Sequence, residues 1–351
     1  MKKILGIFLV LVLFFGCINL NVEPKEEEED TDTGTDDGGK IVVNVTEDNG
    51  NQGNGGTENG GNGGDDDGTG NNGGTTENSG YESDPNSLLA VYFFHVSVDD
   101  EYGAEVHGDA ILIKKGEFDM LIDGGPAVNS EILINDLKGK VDDIEVLVCT
   151  NDDMDHCGAQ FEVLDEFAVE EFWYNGQEES DQMIALVNTI DEKGIEKKVV
   201  SRGTTLDGNG MDISVLSPTS TFASVDEGSI VMKFTFGEFC LMTTSDMGQG
   251  PQYNMIGTYV NVKKGTNELL CDVIQVPYHG TGTGNTQLQM FLDVIDPAYG
   301  IISGSYYDHT NSRGSTLMKL QLKNVEPFET YSGGDVKVTS DGADYSVMYV
   351  E

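Results

Sequence analysis

Basic residues are scarce in this chain. It contains 19 Lys and Arg against 62 Asp and Glu, a formal net charge of −43 over 351 residues. Residues 1–87 hold 4 basic and 18 acidic residues, which leaves 15 and 44, or −29, for residues 88–351. A field of this sign repels anionic polymers and anionic lipid surfaces. The composition therefore argues against a protein that binds polyanions through a basic surface.

Cysteine is also rare, and its spacing is not that of a metal site. The five cysteines include no C-x-x-C pair, so the pattern implies no disulfide framework, although a disulfide stays open for a secreted chain. Cys149 and Cys240 lie in apolar runs, which predicts small buried hydrophobic side chains. Cys157 directly follows a polar cluster and is the one cysteine placed to act near a metal.

Large apolar side chains are nearly absent from residues 18–87, which consist mainly of Gly, Asn, Thr, Asp and Glu. Such a composition cannot bury enough surface to offset the entropy of the chain. We therefore predict a disordered acidic linker over 18–87. A flexible tether of about 70 residues has an end-to-end distance on the order of 45 Å.

One long hydrophobic run precedes this linker. Residues 1–17, MKKILGIFLVLVLFFGC, have two lysines followed by an apolar stretch, which is typical of a secretory signal peptide. Gly16-Cys17 at its end resembles the lipobox of prokaryotic lipoproteins. This resemblance implies lipidation of Cys17, a membrane partner, and an extracytoplasmic, lipid-anchored location at the cell surface. The alternative is a plain signal peptide in which Cys17 is incidental.

Residues 88–351 alternate strands with a few helices and suffice for one large domain. The strands fall in two blocks, each followed by helices, which predicts an α/β (α+β) fold with two sheets and helices outside. The stretch 145–159 organises this domain. Its apolar run Val146–Cys149 predicts a buried strand, and a helical pattern of Phe161, Leu164, Phe167 and Val169 follows Gly158.

Between this strand and helix lies a polar cluster, Asn151, Asp152, Asp153, Asp155 and His156. Open α/β sheets bind their ligands at the carboxyl ends of strands. Neighbouring carboxylates repel unless a cation or solvent screens them, and a nearby imidazole suits a transition metal. The cluster is therefore either a cation site or a solvated acidic loop.

Five motifs in order resemble the competence-protein (ComEC-type) branch of the metallo-β-lactamase superfamily. They are HGDAILIKKGEFDMLIDGG (107–125), TNDDMDHCG (150–158), SIVMKFTFGEFCLMTTSDMG (229–248), DVIQVPYHGTGTG (272–284) and IISGSYYDHTNS (301–312). The resemblance covers essentially all of 88–351. It implies an αββα four-layer sandwich over 88–351, preceded by the linker over 18–87 and the lipoprotein signal peptide over 1–17.

The resemblance also implies a metal site. It makes Asp153, Asp155, His156 and His279 ligands, with Asp246 on the carboxylate that bridges two metals. Asn151 stands where the family has its first His, and an amide oxygen is a weak ligand. We therefore expect Zn or Mn, as one or two divalent ions, with one favoured over two.

Other residues take roles from the same motifs. Tyr278 replaces the first His of the family's His-His-Gly, and with His309 it is a candidate for substrate binding. Asp123 matches a structural Asp of the L-I-D-G-G turn. His95 and His107 stand at positions that are not His in the family, so we expect satisfied or solvated side chains there. The candidate catalytic residues are Asp153, Asp155 and Asp246.

The implied function is a metal-dependent hydrolase that uses a metal-activated water, with a phosphodiester as the expected substrate. The family's nuclease-like chemistry points to nucleic acid, whereas the charge of −29 favours a small phosphodiester. The alternative is a degenerate, non-catalytic binding or scaffold module at the cell surface, since Asn151 and Tyr278 replace histidines. A third possibility is a purely structural metal.

Overall fold

The structure is a computed structural model that describes residues 87–99, 105–219, 224–281, 289–305 and 314–350. The predicted signal peptide with Cys17, nearly all of the predicted linker, and His309 lie outside the described residues. All of the described residues belong to one compact unit. Within these ranges no helix is long and apolar enough to cross a membrane.

The first part of the domain alternates strands and helices. Its strands are β1 (Leu89–Phe93), β2 (Val98–Asp99), β3 (Glu105–Val106), β4 (Ile111–Lys115), β5 (Phe118–Ile122), β6 (Asp143–Cys149), β7 (Ala168–Tyr174), β8 (Glu196–Val199), β9 (Thr205–Asp207) and β10 (Asp212–Ser217). Its helices are α1 (Ser130–Leu137), α2 (Met154–Cys157), α3 (Gln160–Glu166) and α4 (Asp181–Lys193).

The second part continues in the same manner. Its strands are β11 (Val231–Phe236), β12 (Phe239–Thr243), β13 (Val260–Asn261), β14 (Thr266–Asn267), β15 (Val273–Gln275), β16 (Tyr299–Ile302), β17 (Glu326–Glu329), β18 (Asp335–Ser340) and β19 (Tyr345–Val350). Its helices are α5 (Gln249–Tyr259), α6 (Gln289–Ile295), α7 (Gly314–Leu322) and α8 (Thr330–Gly333).

Two large sheets form the centre of the domain. The first has the order β19-β18-β1-β4-β5-β6-β7-β8 and the second β17-β16-β15-β12-β11-β10-β9. Strands β5 to β8 run parallel in the first sheet, as do β12, β15, β16 and β17 in the second. The carboxyl ends of β6 and β12 meet, because Thr150 Oγ1 lies 2.7 Å from Ser245 Oγ.

Apolar side chains between and outside the sheets define four layers. One core lies between the sheets, where Val148 of the first belongs to the same cluster as Leu241 of the second. A second core packs α1, α3 and α4 on the outer face of the first sheet through Leu147 and its neighbours. Two more clusters pack α5, α6 and α7 on the second sheet. The predicted αββα sandwich is confirmed.

Local signals account for several element boundaries. Helix α4 begins where the Ser180 hydroxyl accepts a hydrogen bond from Met183 N, and it ends at Gly194, whose φ of 72° is favourable for glycine. One boundary differs from the prediction. The helix after Gly158 ends at Glu166, and Val169 lies in β7 instead. The buried run Phe172-Trp173-Tyr174 makes this segment a strand inside the sheet.

The four cysteines of the domain form two disulfides, the possibility that the sequence left open. Cys149 pairs with Cys157 and Cys240 with Cys271, with Cα atoms 5.6 and 4.8 Å apart. The cysteines are indeed buried. Each pair brings together one strand cysteine and one loop or helix cysteine, and the sequence spacing of such pairs has no recognisable pattern.

Candidate metal centre

The loop after β6 uses two of its three carboxylates for local structure. Asp152 Oδ2 accepts hydrogen bonds from the backbone nitrogens of Glu179 (2.7 Å) and Ser180 (2.9 Å), which ties the loop to the start of α4. Asp153 is exposed and caps α2 by accepting from Met154 N at 2.7 Å. Asp155, in contrast, places Oδ2 3.3 Å from His279 Nε2. Of the three, Asp155 is the one that contacts the second sheet's histidine.

His156 is held in a defined orientation by Asp123. Its Nδ1 lies 2.9 Å from Asp123 Oδ2, and the same carboxylate accepts from Thr150 N at 2.8 Å and from the Thr150 hydroxyl at 2.6 Å. Asp123 itself has a φ of 60° at the turn after β5. A carboxylate on one ring nitrogen of histidine fixes the tautomer that leaves the other nitrogen for a metal. That other nitrogen, Nε2, lies 3.5 Å from Asp246 Oδ2.

The second sheet contributes Asp246 and His279 from the loops after β12 and β15. His279 Nε2 lies 3.5 Å from Asp246 Oδ1. Gln275, the last residue of β15, connects these loops: its Oε1 accepts from the backbone nitrogens of Thr244 and Ser245 at 2.9 and 3.0 Å. Four non-glycine residues near this point have positive φ, namely Asp123, Ser245, Tyr278 and His279. Backbone conformations of this kind concentrate at functional sites.

Asp109 is a member of the site that the sequence analysis did not assign. It accepts hydrogen bonds from Gln275 Nε2 at 2.7 Å and from the Ser303 hydroxyl. Its carboxylate oxygens lie 3.7 Å from His279 Nδ1 and 3.9 Å from His156 Nδ1. The signal was present, because Asp109 is the acidic residue of the HGDAILI segment. Strand order alone does not show that this segment reaches the carboxyl ends of β6 and β15.

Together Asp109, His156, Asp246 and His279 form a buried cluster whose ligating atoms all lie within 4.8 Å of one another. Two imidazoles and two carboxylates are a donor set that suits Zn²⁺ or Mn²⁺. Two buried atoms of the cluster, His156 Nε2 and Asp246 Oδ1, have no hydrogen-bond partner among the described residues. Buried polar atoms without partners are costly, so the residues present fit a divalent cation.

The electrostatics of the cluster agree with this fit. Burial alone lowers the pKa of His279, but the charges of Asp246 and Asp109 and the contact with Asp155 outweigh it and raise that pKa to about 10. The same holds for His156. Burial lowers its pKa, but the surrounding carboxylates outweigh burial and raise that pKa well above the ordinary value. The pocket therefore favours two positive charges beside its carboxylates. A divalent cation supplies the same charge and displaces the protons.

The two departures from the family pattern take different places. Asn151 is 1% exposed, with Nδ2 3.4 Å from Ser229 Oγ and 3.5 Å from Ser245 Oγ, and its Oδ1 has no hydrogen-bond partner among the described residues. It is not one of the four clustered residues. Tyr278 is half-buried, with a φ of 57°, and its backbone nitrogen donates to Ser245 O at 3.1 Å.

The other two histidines within the described residues, His95 and His107, lie in different environments. His107 stacks on His279, with ring centroids 5.0 Å apart and planes inclined by 11°, so it lies beside the cluster. His95 instead lines a surface cavity of about 550 Å³ with Asp136 and Asp335. Cys157 does not face a metal as a thiolate, because it is joined to Cys149.

One family model matches part of the domain. Residues 103–226, which include Asp109 and His156, match the family model of the metallo-beta-lactamase superfamily. No curated protein gives a significant match to the chain.

Several solved structures are similar to the chain at low identity. The metallo-beta-lactamase fold protein YhfI from Bacillus subtilis is 14% identical with a TM-score of 0.47, and the alignment covers 72% of this chain and 99% of YhfI. The metallo hydrolase Igni18 from Ignicoccus hospitalis is also 14% identical, with a TM-score of 0.46 over 72% of this chain and 98% of Igni18. The diiron β-hydroxylase CmlA from Streptomyces venezuelae is 11% identical, with a TM-score of 0.48 over 77% of this chain and 55% of CmlA. Likenesses of this size say nothing about what this chain does.

Proposed function

We propose that the domain is a metal-dependent hydrolase that cleaves a small phosphodiester with an activated water. The observation that carries the proposal is the buried cluster of Asp109, His156, Asp246 and His279. A divalent Zn or Mn ion held there supplies Lewis acidity and lowers the pKa of water. The cluster offers four ligand atoms, the number that one tetrahedral ion takes, which supports one metal rather than two.

The residues around the cluster have the properties that hydrolysis requires. Asp123 and Thr150 hold the His156 ring, so Nε2 is presented to the cation. Burial raises the pKa of Asp155, but the His156 and His279 imidazoles outweigh burial and lower that pKa below its usual range. Asp155 is therefore a carboxylate that stays ionised and can orient a water through a hydrogen bond. Asp153, which is exposed at the edge of the loop, is the candidate that accepts the proton of this water.

The charge of the domain supports a small substrate over nucleic acid. DNA binding depends on neutralising phosphates with Lys and Arg, and residues 88–351 carry −29. A small phosphodiester carries about one negative charge and meets far less repulsion. Tyr278 and His309 remain our candidates for substrate contacts.

The location outside the cytoplasm is part of the proposal. The apolar run that ends at Cys17 supports export followed by lipid anchoring to the cell membrane. The Cys149–Cys157 and Cys240–Cys271 disulfides support an oxidising compartment, since disulfides are rare in the cytosol.

The second candidate is a non-catalytic binding or scaffold module. It is favoured by Asn151, whose amide contacts Ser229 and Ser245 rather than joining the four clustered residues. Such a module would still bind metal at the cluster. Binding and turnover therefore have to be measured separately.

The test combines metal content with turnover of bis(p-nitrophenyl) phosphate. We expect the wild-type protein to contain about one Zn or Mn per chain and to hydrolyse this diester. His156→Ala and His279→Ala should lose both metal and activity, whereas the matched change His95→Ala should retain both. Metal binding without turnover would favour the binding module, and absence of metal from the wild-type protein would refute the centre itself.

A further inference from the structure

The Cys149–Cys157 disulfide encloses the loop that carries His156, one of the four clustered residues. Cys149 is the last residue of β6 and Cys157 the last residue of α2, eight positions apart. Within this span lie Thr150, Asp155 and His156. We propose that this disulfide is a positioning element for the metal centre, which couples metal affinity to the redox state of the pair. This inference rests on the metal centre of the proposed function.

The loop also carries three carboxylates, and a covalent link offsets their mutual repulsion. Asp152, Asp153 and Asp155 lie within four consecutive positions, and carboxylates this close repel one another. The other ties on His156 are hydrogen bonds: its carbonyl accepts from Gly124 N at 2.7 Å and from Gly125 N at 3.1 Å. Each such hydrogen bond contributes little net free energy to the closed loop, because bonds to water replace it when the loop opens. A covalent link does not exchange with water.

The second disulfide lies at the start of the two strands that lead to Asp246 and His279. Cys240 lies near the start of β12, six residues before Asp246, and Cys271 precedes β15, eight residues before His279. Both disulfides are buried in the same domain. The Cys240–Cys271 loop also contains Asp246, but its cysteines lie six and eight residues before Asp246 and His279, whereas Cys157 is the neighbour of His156 in the chain. The Cys240–Cys271 pair is therefore the comparison for a disulfide that restrains the fold away from the ligands.

The coupling has to work in both directions. Reduction transfers two electrons and two protons from an external thiol couple, so that the S–S bond becomes two thiols while the reductant is oxidised to its own disulfide. If the closed loop binds metal more tightly than the open loop, bound metal must favour the disulfide by the same factor. A tenfold coupling lowers the two-electron midpoint potential of the pair by about 30 mV.

The first experiment titrates Zn²⁺ into the full chain by calorimetry in thiol-free buffer. It compares wild type with Cys149→Ser/Cys157→Ser and with Cys240→Ser/Cys271→Ser, each checked for folding by circular dichroism. We expect the first double variant to bind Zn²⁺ about 10- to 100-fold more weakly, as when groups that orient metal ligands are removed. The second should stay within about twofold of wild type, because neither of its cysteines adjoins a ligand in the chain.

The second experiment needs no variant, so it stands even if a double variant fails to fold. Wild-type protein is equilibrated in glutathione redox buffers with and without Mn²⁺, which binds thiols weakly. The reduced fraction of each pair is read by alkylation and mass spectrometry. Mn²⁺ should shift the midpoint of Cys149–Cys157 to more reducing potential and leave that of Cys240–Cys271 in place.

Three results overturn the inference. Equal Zn²⁺ affinity in wild type and Cys149→Ser/Cys157→Ser refutes the positioning role. An equal loss of Zn²⁺ affinity in both double variants refutes it as well. A Cys149–Cys157 midpoint that Mn²⁺ does not move removes the reciprocal coupling. In each of these cases wild-type protein still binds metal, so the proposed centre survives. If wild type binds neither ion, the centre and the inference fail together.

Discussion

The carboxylate of Asp123 lies 2.9 Å from Nδ1 of His156 and joins two loops that the sequence separates by 33 positions. This contact sets which ring nitrogen of His156, Nε2, points at Asp246. Ligand geometry in this centre therefore depends on a residue that is not itself a ligand. The same Asp123 also accepts two hydrogen bonds from Thr150, so the start of the ligand loop and the ligand share one support.

Asp123→Asn tests this dependence. Asn keeps the size of the side chain and tolerates the positive φ of this position, but it lacks the negative charge that keeps a proton on His156 Nδ1, and it can turn its NH2 group to that nitrogen instead. We expect Zn²⁺ affinity to fall about 10- to 100-fold while the fold persists. Calorimetric titration measures the change, and Asp165→Asn, a like substitution at an exposed ion pair with Lys193, is the control. Unchanged affinity in Asp123→Asn would contradict the orienting role.

Gln275→Met tests the bridge between the loops of the second sheet. The substitution keeps the shape but removes the acceptor for Thr244 N and Ser245 N and the donor to Asp109. Leaving buried polar groups unpaired costs about 1–3 kcal/mol each, so we expect a loss of about 3 kcal/mol in unfolding free energy. Urea denaturation measures it against Gln321→Met on the exposed side of α7. Similar losses in both variants would show that Gln275 is no bridge.

The sequence predicted the position of this site in the fold better than the residues that form it. The run Val146–Cys149 and the polar residues after it were enough to predict a strand and a site at its carboxyl end, and the strand does end at Cys149. The sequence of the loop after β6 does not reveal which of its carboxylates faces the histidines. Asp152 accepts a hydrogen bond from a backbone nitrogen just before α4, and Asp153 accepts one from the first residue of α2. Such bonds depend on chain geometry that adjacent acidic residues do not encode.

Two further features depend on long-range contacts. Asp109 reaches the site because β4 lies beside β5 in the first sheet while Gln275 and Ser303 arrive from the second. The pairing of Cys240 with Cys271 follows from the parallel neighbours β12 and β15. Neither relation has a local signature, since sequence separation says nothing about which strands become neighbours.

Glu145→Gln should flatten the pH dependence of stability near neutrality. Burial, with added charge from Asp119 and Asp143, raises the pKa of Glu145 from 4.5 to about 7 although Asp119 N donates to its carboxylate. Because the folded-state pKa lies above the ordinary value, folding favours the protonated form. The stabilising contribution is full below pH 4.5 and is lost as pH rises through about 7.

Urea denaturation from pH 4.5 to 8 measures this term. Relative to Glu145→Gln, the wild type should lose on the order of 1–3 kcal/mol across the window, since one pKa unit corresponds to about 1.4 kcal/mol. Glu192→Gln, at an exposed position of α4, should follow the wild-type curve. A Glu145→Gln curve parallel to wild type would mean that Glu145 titrates alike in the folded and unfolded chain.

The salt dependence of cleavage distinguishes a small substrate from DNA. A domain of charge −29 repels a polyanion most when the ionic strength is low, because the Debye length is about 30 Å at 10 mM salt and about 8 Å at 150 mM. We therefore expect slow cleavage of DNA at 10 mM salt and a several-fold rise in kcat/KM at 150 mM. The rate on bis(p-nitrophenyl) phosphate should change little, and His279→Ala should be inactive on both substrates at either salt.

Proteins that bind phosphates with Lys and Arg behave in the opposite way, since their affinity for DNA falls steeply as salt rises. Rapid DNA cleavage at 10 mM salt that declines at 150 mM would therefore identify a nuclease and reject the small-substrate proposal.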